Sequence, residues 1–440
     1  MSVQHDSSVE DSFSDIQHIP KLELQHVDFA LPPSKSHLIR LLALGALNQE
    51  KVVFNLVGKP GKDVFSMVKS LQSLGINVST RNTDSSVQIS IEGGNYQSFS
   101  SQQQLSVNCG NSGTTLRIIM GLIASMQQKV TVIGDDSLSV RENESLIKSL
   151  IDSGVKIEKI GNNNLPIEIT GPIFDGSTKD QNVLLDCSKS SQPLSAWMIA
   201  SANFHCDVQI ELVGKTVSNR HYRLTQELCN QFGASINRDL NKYNIPKWEV
   251  QMPQYYNVPG DASMASFAIL LSMVQNCPVQ VKNWPEQKDA LGCEILHEMA
   301  PSLGIIWENS VIVDSNNGKY ATYDLTDCND LITPLAAILA ISSGGEISGI
   351  SHTVYKESNR IEKTIELMNC FGLKVSNNQG RLVIDGSQIP VMPKVPVHCH
   401  NDHRIFMTAA IIMSKFGGDL IGKGLHAIAD ESFLHRIGIE

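Results

Sequence analysis

Two series of short signals run through this chain in step, and they dictate a repeated architecture. The first is a helix-like stretch that ends in glycine and leads into alternating residues: SLGINV at Gly75, SGVKI at Gly154, FGASI at Gly233, LGIIW at Gly304 and FGLKV at Gly372. A glycine after a helix supplies the left-handed cap that ends it, and the alternation that follows reads as a strand. Successive glycines are 79, 79, 71 and 68 residues apart. The second series consists of polar stretches immediately before apolar helical runs, beginning at Ser34, Ser112, Ser190, Asp261, Asp330 and Asp402. Ser and Asp in that position cap the free N–H groups of a helix start. From each of the first five starts to its glycine the distance is 41, 42, 43, 43 and 42 residues. Six copies of a mixed helix–strand unit of roughly 70 residues follow from this spacing.

The sixth copy is defective. A glycine at the usual distance from Asp402 would fall beyond the last residue, 440, and Gly438 comes after only 36. The last unit is therefore either about six residues short or closes in a different way. At 440 residues the chain exceeds the roughly 100–200 of a single domain, so three copies per domain is the natural division. A Pro259-Gly260 pair interrupts the pattern near Tyr255–Gly260. The expected domains are 34–255, and 256–440 together with 1–33. Each would gather three helix N-termini, and in a cleft where the domains face each other these positive ends would favour phosphate or carboxylate.

Composition narrows the partners. Apolar residues at 41% and charged residues at 18% suit a packed core, and 6% aromatics argue against a stacking platform for single-stranded nucleic acid. The 35 Lys and Arg against 45 Asp and Glu leave a net charge of −10, which opposes binding to nucleic acid or an anionic membrane. A small anion needs only a local cluster of cations and remains allowed. Nine cysteines without a CxxC pair, no Lys or Arg before Lys21 and no apolar leader point to a reducing cytoplasm.

The starts carry the polar chemistry. In LPPSKSHLIR, Lys35 and Arg40 flank a helix start; in GNSGTTLR, two glycines open backbone amides to a ligand; SSQP sets Ser190, Ser191 and Gln192 before a helix with Pro193 in its first turn. Capping and solvated side chains account for each of these stretches equally well. In KESNR, Lys356 and Arg360 share a helical face around Glu357, an unfavourable pairing unless an anion sits there. NDHR places His403 and Arg404 at the start of the apolar run IFMTAAIIM. The His398, Cys399, His400 and His403 group has the composition of a metal site, but successive strand residues face opposite sides and no second ligand group at metal-binding spacing appears elsewhere, so no metal is expected. GGDLIGKG only imitates a phosphate loop, since Gly424 stands where Ser or Thr is required.

Taken together, LPPSKSHLIR, GNSGTTLR, SSQ, GDASMASF, KESNR and NDHR resemble the motifs of the enolpyruvyl transferase family, in the family's order and over about Leu31 to Gly424. The match is nearest to the branch whose acceptor is shikimate 3-phosphate. The resemblance implies an α/β fold of α+β character: two domains, six βαβαββ repeats, three per domain around pseudo-threefold axes, with the active site in the interdomain cleft. It implies transfer of the enolpyruvyl group of phosphoenolpyruvate to the 5-hydroxyl of shikimate 3-phosphate, with no cofactor, no metal and a monomeric enzyme. The residues matching catalytic positions are Lys35, Asp330, Glu357 and His403. Those matching the shikimate 3-phosphate positions are Lys35, Ser36, Arg40, Ser190, Ser191, Gln192, Ser218, His221, Asp330 and Lys356. Phosphoenolpyruvate would be held by Lys35, Gly113, Arg141, Gln192, Arg360 and Arg404, arginine being suited to two-point binding of carboxylate or phosphate.

Five positions depart from the family's usual residues. Glu431 stands in place of a lysine that touches phosphoenolpyruvate, Glu142 in place of Pro, His352 in place of Asn or Glu, Asn359 in place of Asp and Ile118 in place of Pro. These departures leave two alternatives open: another phosphorylated acceptor, or a non-catalytic phosphoanion-binding homologue.

Overall fold

The computed structural model describes residues 15–82, 86–93, 105–171, 180–286 and 295–439. They form two compact units: Pro32–Gly260, here the first unit, and the described residues up to Leu31 together with those from Asp261 onward, the second. The sequence reading divided the chain at 33/34 and 255/256. In the structure Tyr255–Asn257 pairs in parallel with Val53–Asn55, which carries that segment into the first unit and moves the division to Gly260.

One sheet pattern recurs. In the clearest copy Leu105–Asn108 and Lys129–Ile133 are parallel neighbours, Ile167–Thr170 runs antiparallel to Lys129–Ile133, and Lys156–Lys159 lies at the edge. Among the described residues five sheets follow this four-stranded order. In the first unit the opening strand of its first copy is Tyr255–Asn257, from the far end of the unit. In the second unit Val27–Ala30 fills the same place beside Val279–Lys282. Each unit is thus closed by a strand remote in sequence from the copy it completes.

The five cap glycines all have left-handed backbones, with φ of 78°, 98°, 117°, 80° and 70° at Gly75, Gly154, Gly233, Gly304 and Gly372. Gly438 joins them at 86°. The curtailed copy does close differently: Ile16–Ile19 pairs antiparallel with Gly418–Ile421, whose other neighbour is Val397–His398. A strand from the start of the chain replaces the one that the last copy is too short to make. Beyond it, Gly438 lets the chain pass Leu24, since an added Cβ would stand 3.2 Å from Leu24 Cδ2.

Helices divide into two kinds. Lys35–Leu47, Gly113–Ala124 and Gln192–Ala200 in the first unit are buried nearly all round and pack on one another. Ala265–Gln275, Ile332–Ile341 and His403–Met413 do the same in the second. Helices without a polar face belong inside a core, so their polar residues collect at the ends. Outer helices such as Lys62–Ser73 and Arg360–Cys370 keep an exposed polar face.

Ile19 is fully buried in the second unit's core. Truncating it to alanine should cost about 2–5 kcal/mol, read from the urea midpoint of unfolding. An unchanged midpoint would show that the last sheet does not depend on the N-terminal strand.

Candidate functional site

Helix starts in the first unit are built by capping. Ser34 Oγ accepts from the His37 amide and Ser112 Oγ from the Thr115 amide, the bonds that free N-terminal N–H groups require. Lys35 follows the first cap, and its Nζ lies 3.0 Å from Asp63 Oδ2. Arg40, one turn on, is 1% exposed. Its guanidinium is held by neutral oxygens: Nε donates to Thr225 Oγ1 at 2.7 Å and Nη1 to the Ser36 carbonyl at 2.8 Å. A longer contact of 3.4 Å joins Nη2 to Ser195 Oγ. Burial lowers its pKa to about 10, still leaving a cation at neutral pH.

Ser191 Oγ donates to the Ser218 carbonyl at 2.9 Å, and Ser190 Oγ accepts from the Gln192 amide at 3.2 Å. Ser218 caps Asn219–Gln231 with a left-handed backbone, φ 53°, and the His221 amide donates to its carbonyl. The structure thereby gathers Ser190, Ser191, Ser218 and His221 at two neighbouring helix starts. At the glycine-rich start, a Cβ on Gly113 would meet Arg117 Nη1 at 3.0 Å and Arg141 Nη1 at 3.5 Å. Arg141 Nη2 donates to Asn111 Oδ1 at 2.8 Å and to Ser137 Oγ at 3.1 Å.

In the second unit one guanidinium organises the polar residues. Arg360 donates from Nε to Asp402 Oδ2 at 2.9 Å, from Nη1 to Asp330 Oδ1 at 2.8 Å and from Nη2 to Glu357 Oε2 at 2.7 Å. Its side chain is 2% exposed and Asp402 is fully buried, whereas Asp330 retains 30% exposure. Burial alone would lower the Arg360 pKa; Asp402, Glu357 and Asp330 outweigh it and hold the group well above its ordinary value. Arg404 Nη2 donates to Ser263 Oγ at 2.9 Å and lies 3.5 Å from Asp330 Oδ2. His403, beside it, is 1% exposed. Lys356 ends the short helix Ser351–Tyr355, and burial, with Lys356 second, lowers the His352 pKa to about 4.

The family model for EPSP synthase (3-phosphoshikimate 1-carboxyvinyltransferase) matches residues 25–431. The chain belongs to the EPSP synthase family. Among its relatives, the 3-phosphoshikimate 1-carboxyvinyltransferase of Korarchaeum cryptofilum is 28% identical over 424 residues, covering 93% of this chain and 95% of the relative. That of Lactiplantibacillus plantarum is 28% identical over 413 residues, covering 89% and 92%. A solved structure of EPSP synthase from Acinetobacter baumannii superposes with a TM-score of 0.73 at 18% identity, covering 96% of this chain and 97% of that one. The mixed α/β fold is therefore the fold of EPSP synthases.

Glu431 is one of the five departures from what the resemblance implies. It is exposed, in a turn fixed by its neighbour: Asp430, fully buried, takes Arg436 Nε at 2.6 Å and the Ser432 amide at 3.0 Å. Arg436 Nη1 in turn donates to the Ala30 carbonyl at 2.5 Å. Burial pushes the Asp430 carboxyl up, and Arg436 partly opposes this. The His398 and His400 rings are tilted 41° to each other with centres 4.4 Å apart, and His400 Nε2 lies 3.0 Å from Glu366 Oε2. Among the described residues no group of three or more His, Cys, Asp or Glu is arranged to hold a metal ion. No helix among them is long and apolar enough to cross a membrane.

Sequence reasoning assigns no site role to Asp63, Arg117 or Asp402. Asp402 and Arg117 sit inside the quoted motifs NDHR and GNSGTTLR, so their positions were in view, but their contacts join residues dozens of positions away. Nothing local in KPGKDVF marks Asp63 as a partner of Lys35.

Asp402→Asn keeps a capping oxygen for the Arg404 amide but removes the buried charge facing Arg360. It should cost about 3–5 kcal/mol, measured by urea unfolding; a loss no larger than that of a helix cap, about 1 kcal/mol, would contradict the weight given to this ion pair. His37 supplies a pH test. Burial, with Arg40 second, lowers its pKa from 6.5 to about 3, so the folded chain keeps it neutral. The stability it contributes is present above pH 6.5 and is lost as pH falls toward 3, because only the unfolded chain takes up the proton. Between pH 7 and pH 5 this amounts to about 2 kcal/mol. His37→Gln should shrink the measured drop in unfolding free energy by that amount, and an unaltered drop would assign the acid sensitivity elsewhere.

Proposed function

We propose that this chain catalyses transfer of the enolpyruvyl group of phosphoenolpyruvate to the 5-hydroxyl of shikimate 3-phosphate, releasing phosphate. Family membership over residues 25–431 supports the reaction. The observation that carries the assignment of residues is the cluster in which Arg360 binds Asp330, Glu357 and Asp402, with Arg404 at its edge. A guanidinium has five N–H donors, and three contacts to carboxylates leave two for an anionic ligand.

In the addition step the C–O bond forms between the acceptor oxygen and C2 of phosphoenolpyruvate. Asp330, partly exposed beside both arginines, takes the hydroxyl proton. Lys35 and Glu357 serve the proton that arrives at the methylene carbon. In the elimination step a proton leaves the methyl group so formed, the C–O bond to phosphate breaks and the double bond is restored; His403, between Asp402 and Arg404 in the chain, matches a catalytic position by the resemblance. The resemblance assigns Lys35, Ser36, Arg40, Ser190, Ser191, Gln192, Ser218, His221, Asp330 and Lys356 to shikimate 3-phosphate, and Lys35, Gly113, Arg141, Gln192, Arg360 and Arg404 to phosphoenolpyruvate. The helix starts carrying these residues place partial positive charge where the phosphates would bind. The acidic composition supports a protein that binds neither nucleic acid nor an anionic membrane, the scattered cysteines a reducing cytoplasm, and the family resemblance a monomer.

Phosphate release from phosphoenolpyruvate with shikimate 3-phosphate tests the reading, against phosphorylated cyclitols as competing acceptors. Turnover should prefer shikimate 3-phosphate, and Asp330→Ala and Glu357→Ala should each lower kcat about 10²–10⁴-fold with the circular dichroism spectrum unchanged. No release at high protein concentration, or equal use of other acceptors, would sink it.

A further inference from the structure

Arg117 takes no part in the reading above, yet it contacts three separate segments around the glycine-rich start. Nη1 donates to the Gln192 Oε1 at 2.5 Å and to the Gly113 carbonyl at 3.2 Å, while Nη2 donates to the Glu142 carbonyl at 3.0 Å. The Gln192 carboxamide is held from its other side, where Nε2 donates to Thr114 Oγ1 at 2.8 Å. We propose that Arg117 is a positioning residue that fixes which face of the Gln192 carboxamide meets the ligand and holds the backbone next to Arg141.

The argument rests on donor and acceptor chemistry. A carboxamide is nearly symmetric in shape, so turning it over exchanges its oxygen and nitrogen. The Thr114 hydroxyl can donate or accept and does not select between the two. A guanidinium can only donate, so Arg117 admits the oxygen and rejects the NH₂ group. With its oxygen bound to Arg117 and one N–H on Thr114, Gln192 has a second N–H to offer. That polarity suits an anion; the reverse would present a carbonyl oxygen and repel it. The contact to the Glu142 carbonyl acts on the adjoining residue, Arg141. Both guanidiniums converge on Gly113, where a Cβ would lie 3.0 Å from Arg117 Nη1 and 3.5 Å from Arg141 Nη1. Arg117 therefore orders two of the groups assigned to phosphoenolpyruvate without touching the reacting atoms.

This inference rests on the function proposed above, and the test separates the two. Phosphoenolpyruvate binding in the presence of shikimate 3-phosphate is measured by calorimetry alongside steady-state turnover, for the wild type, Arg117→Met, Arg117→Lys, Gln192→Ala and the double variant Arg117→Met/Gln192→Ala. Arg117→Met should raise the Kd and KM for phosphoenolpyruvate about tenfold, a change of about 1.4 kcal/mol, with kcat altered less than KM. Arg117→Lys, which also can only donate, should recover part of the affinity. In the Gln192→Ala background, Arg117→Met should add less than it does in the wild type, because the part that acts through the carboxamide is gone. A KM unchanged in an active Arg117→Met, or fully additive effects in the double variant, would overturn the inference while leaving the function intact. A lowered melting temperature with unaltered phosphoenolpyruvate affinity would assign Arg117 a purely structural role and overturn it too. A wild type that neither binds nor turns over overturns both.

Discussion

The arrangement of the second unit depends on one buried guanidinium. Arg360 begins the outer helix Arg360–Cys370, Asp402 caps the inner helix His403–Met413, and Asp330 lies in the short helix that precedes Ile332–Ile341. Their hydrogen bonds thus join the starts of three helices from two consecutive copies of the repeat. Taking such charges out of water is costly, and the pairing offsets that cost only when the geometry is good and the remaining lone pairs are filled. Asp402 meets the condition: Oδ2 accepts from Arg360 and from Ser358 Oγ, and Oδ1 accepts from the Arg404 amide. The same carboxylate closes a helix cap and a salt bridge, so the backbone that carries Arg404 and the side chain of Arg360 are fixed together.

That coupling follows from the kind of helix involved. Inner helices are apolar on every face, so they offer polar groups only at their ends. Six such ends, one per copy, explain why the polar motifs recur at the repeat's own spacing rather than along helix faces. The caps satisfy local N–H groups, and the side chains just inside them are carried with the backbone. In the first unit Arg40 and Arg117 are held by neutral oxygens, beside the Lys35–Asp63 ion pair; in the second Arg360 is held by three carboxylates, beside the Arg404 bond to the Ser263 hydroxyl. The two units share a fold plan and differ in how their buried arginines are compensated.

What the sequence made legible was whatever is local and periodic. Left-handed glycines at the helix ends, capping Ser34, Ser112 and Asp402, and the six-copy spacing all have causes within a few residues. The site motifs were legible because each sits at one of those ends. The defect in the last copy was also legible as a length. Its repair was not, because the Ile16–Ile19 strand lies some four hundred residues from its partner, and nothing in IQHI names Gly418–Ile421 as its neighbour. The Arg360 partners Asp330 and Asp402, thirty and forty-two positions away, were hidden for the same reason. So was the turn at Glu431: the anchoring carboxylate is the preceding residue, Asp430, whose partner Arg436 also holds the Ala30 carbonyl of the N-terminal strand segment.

The net charge of −10 conceals where the cations are. Arg40, Arg360 and Arg404 are among the largest fully buried side chains. Only Arg360 has its charge closely matched. Arg40 rests on hydroxyl and carbonyl oxygens, and Arg404 has its nearest carboxylate at 3.5 Å, with Nε lacking an acceptor among the described residues. A guanidinium withdrawn from water with donors unfilled is held at a standing cost in free energy. An acceptor-rich anion at Arg404 would remove part of that cost on arrival. Asp330, already shared between Arg360 and Arg404, could then yield its contact to Arg404 and retain the one to Arg360. A net negative charge and under-compensated buried cations are thus compatible: the first is a property of the whole chain, and the second leaves a local demand that a small, multiply charged anion could meet.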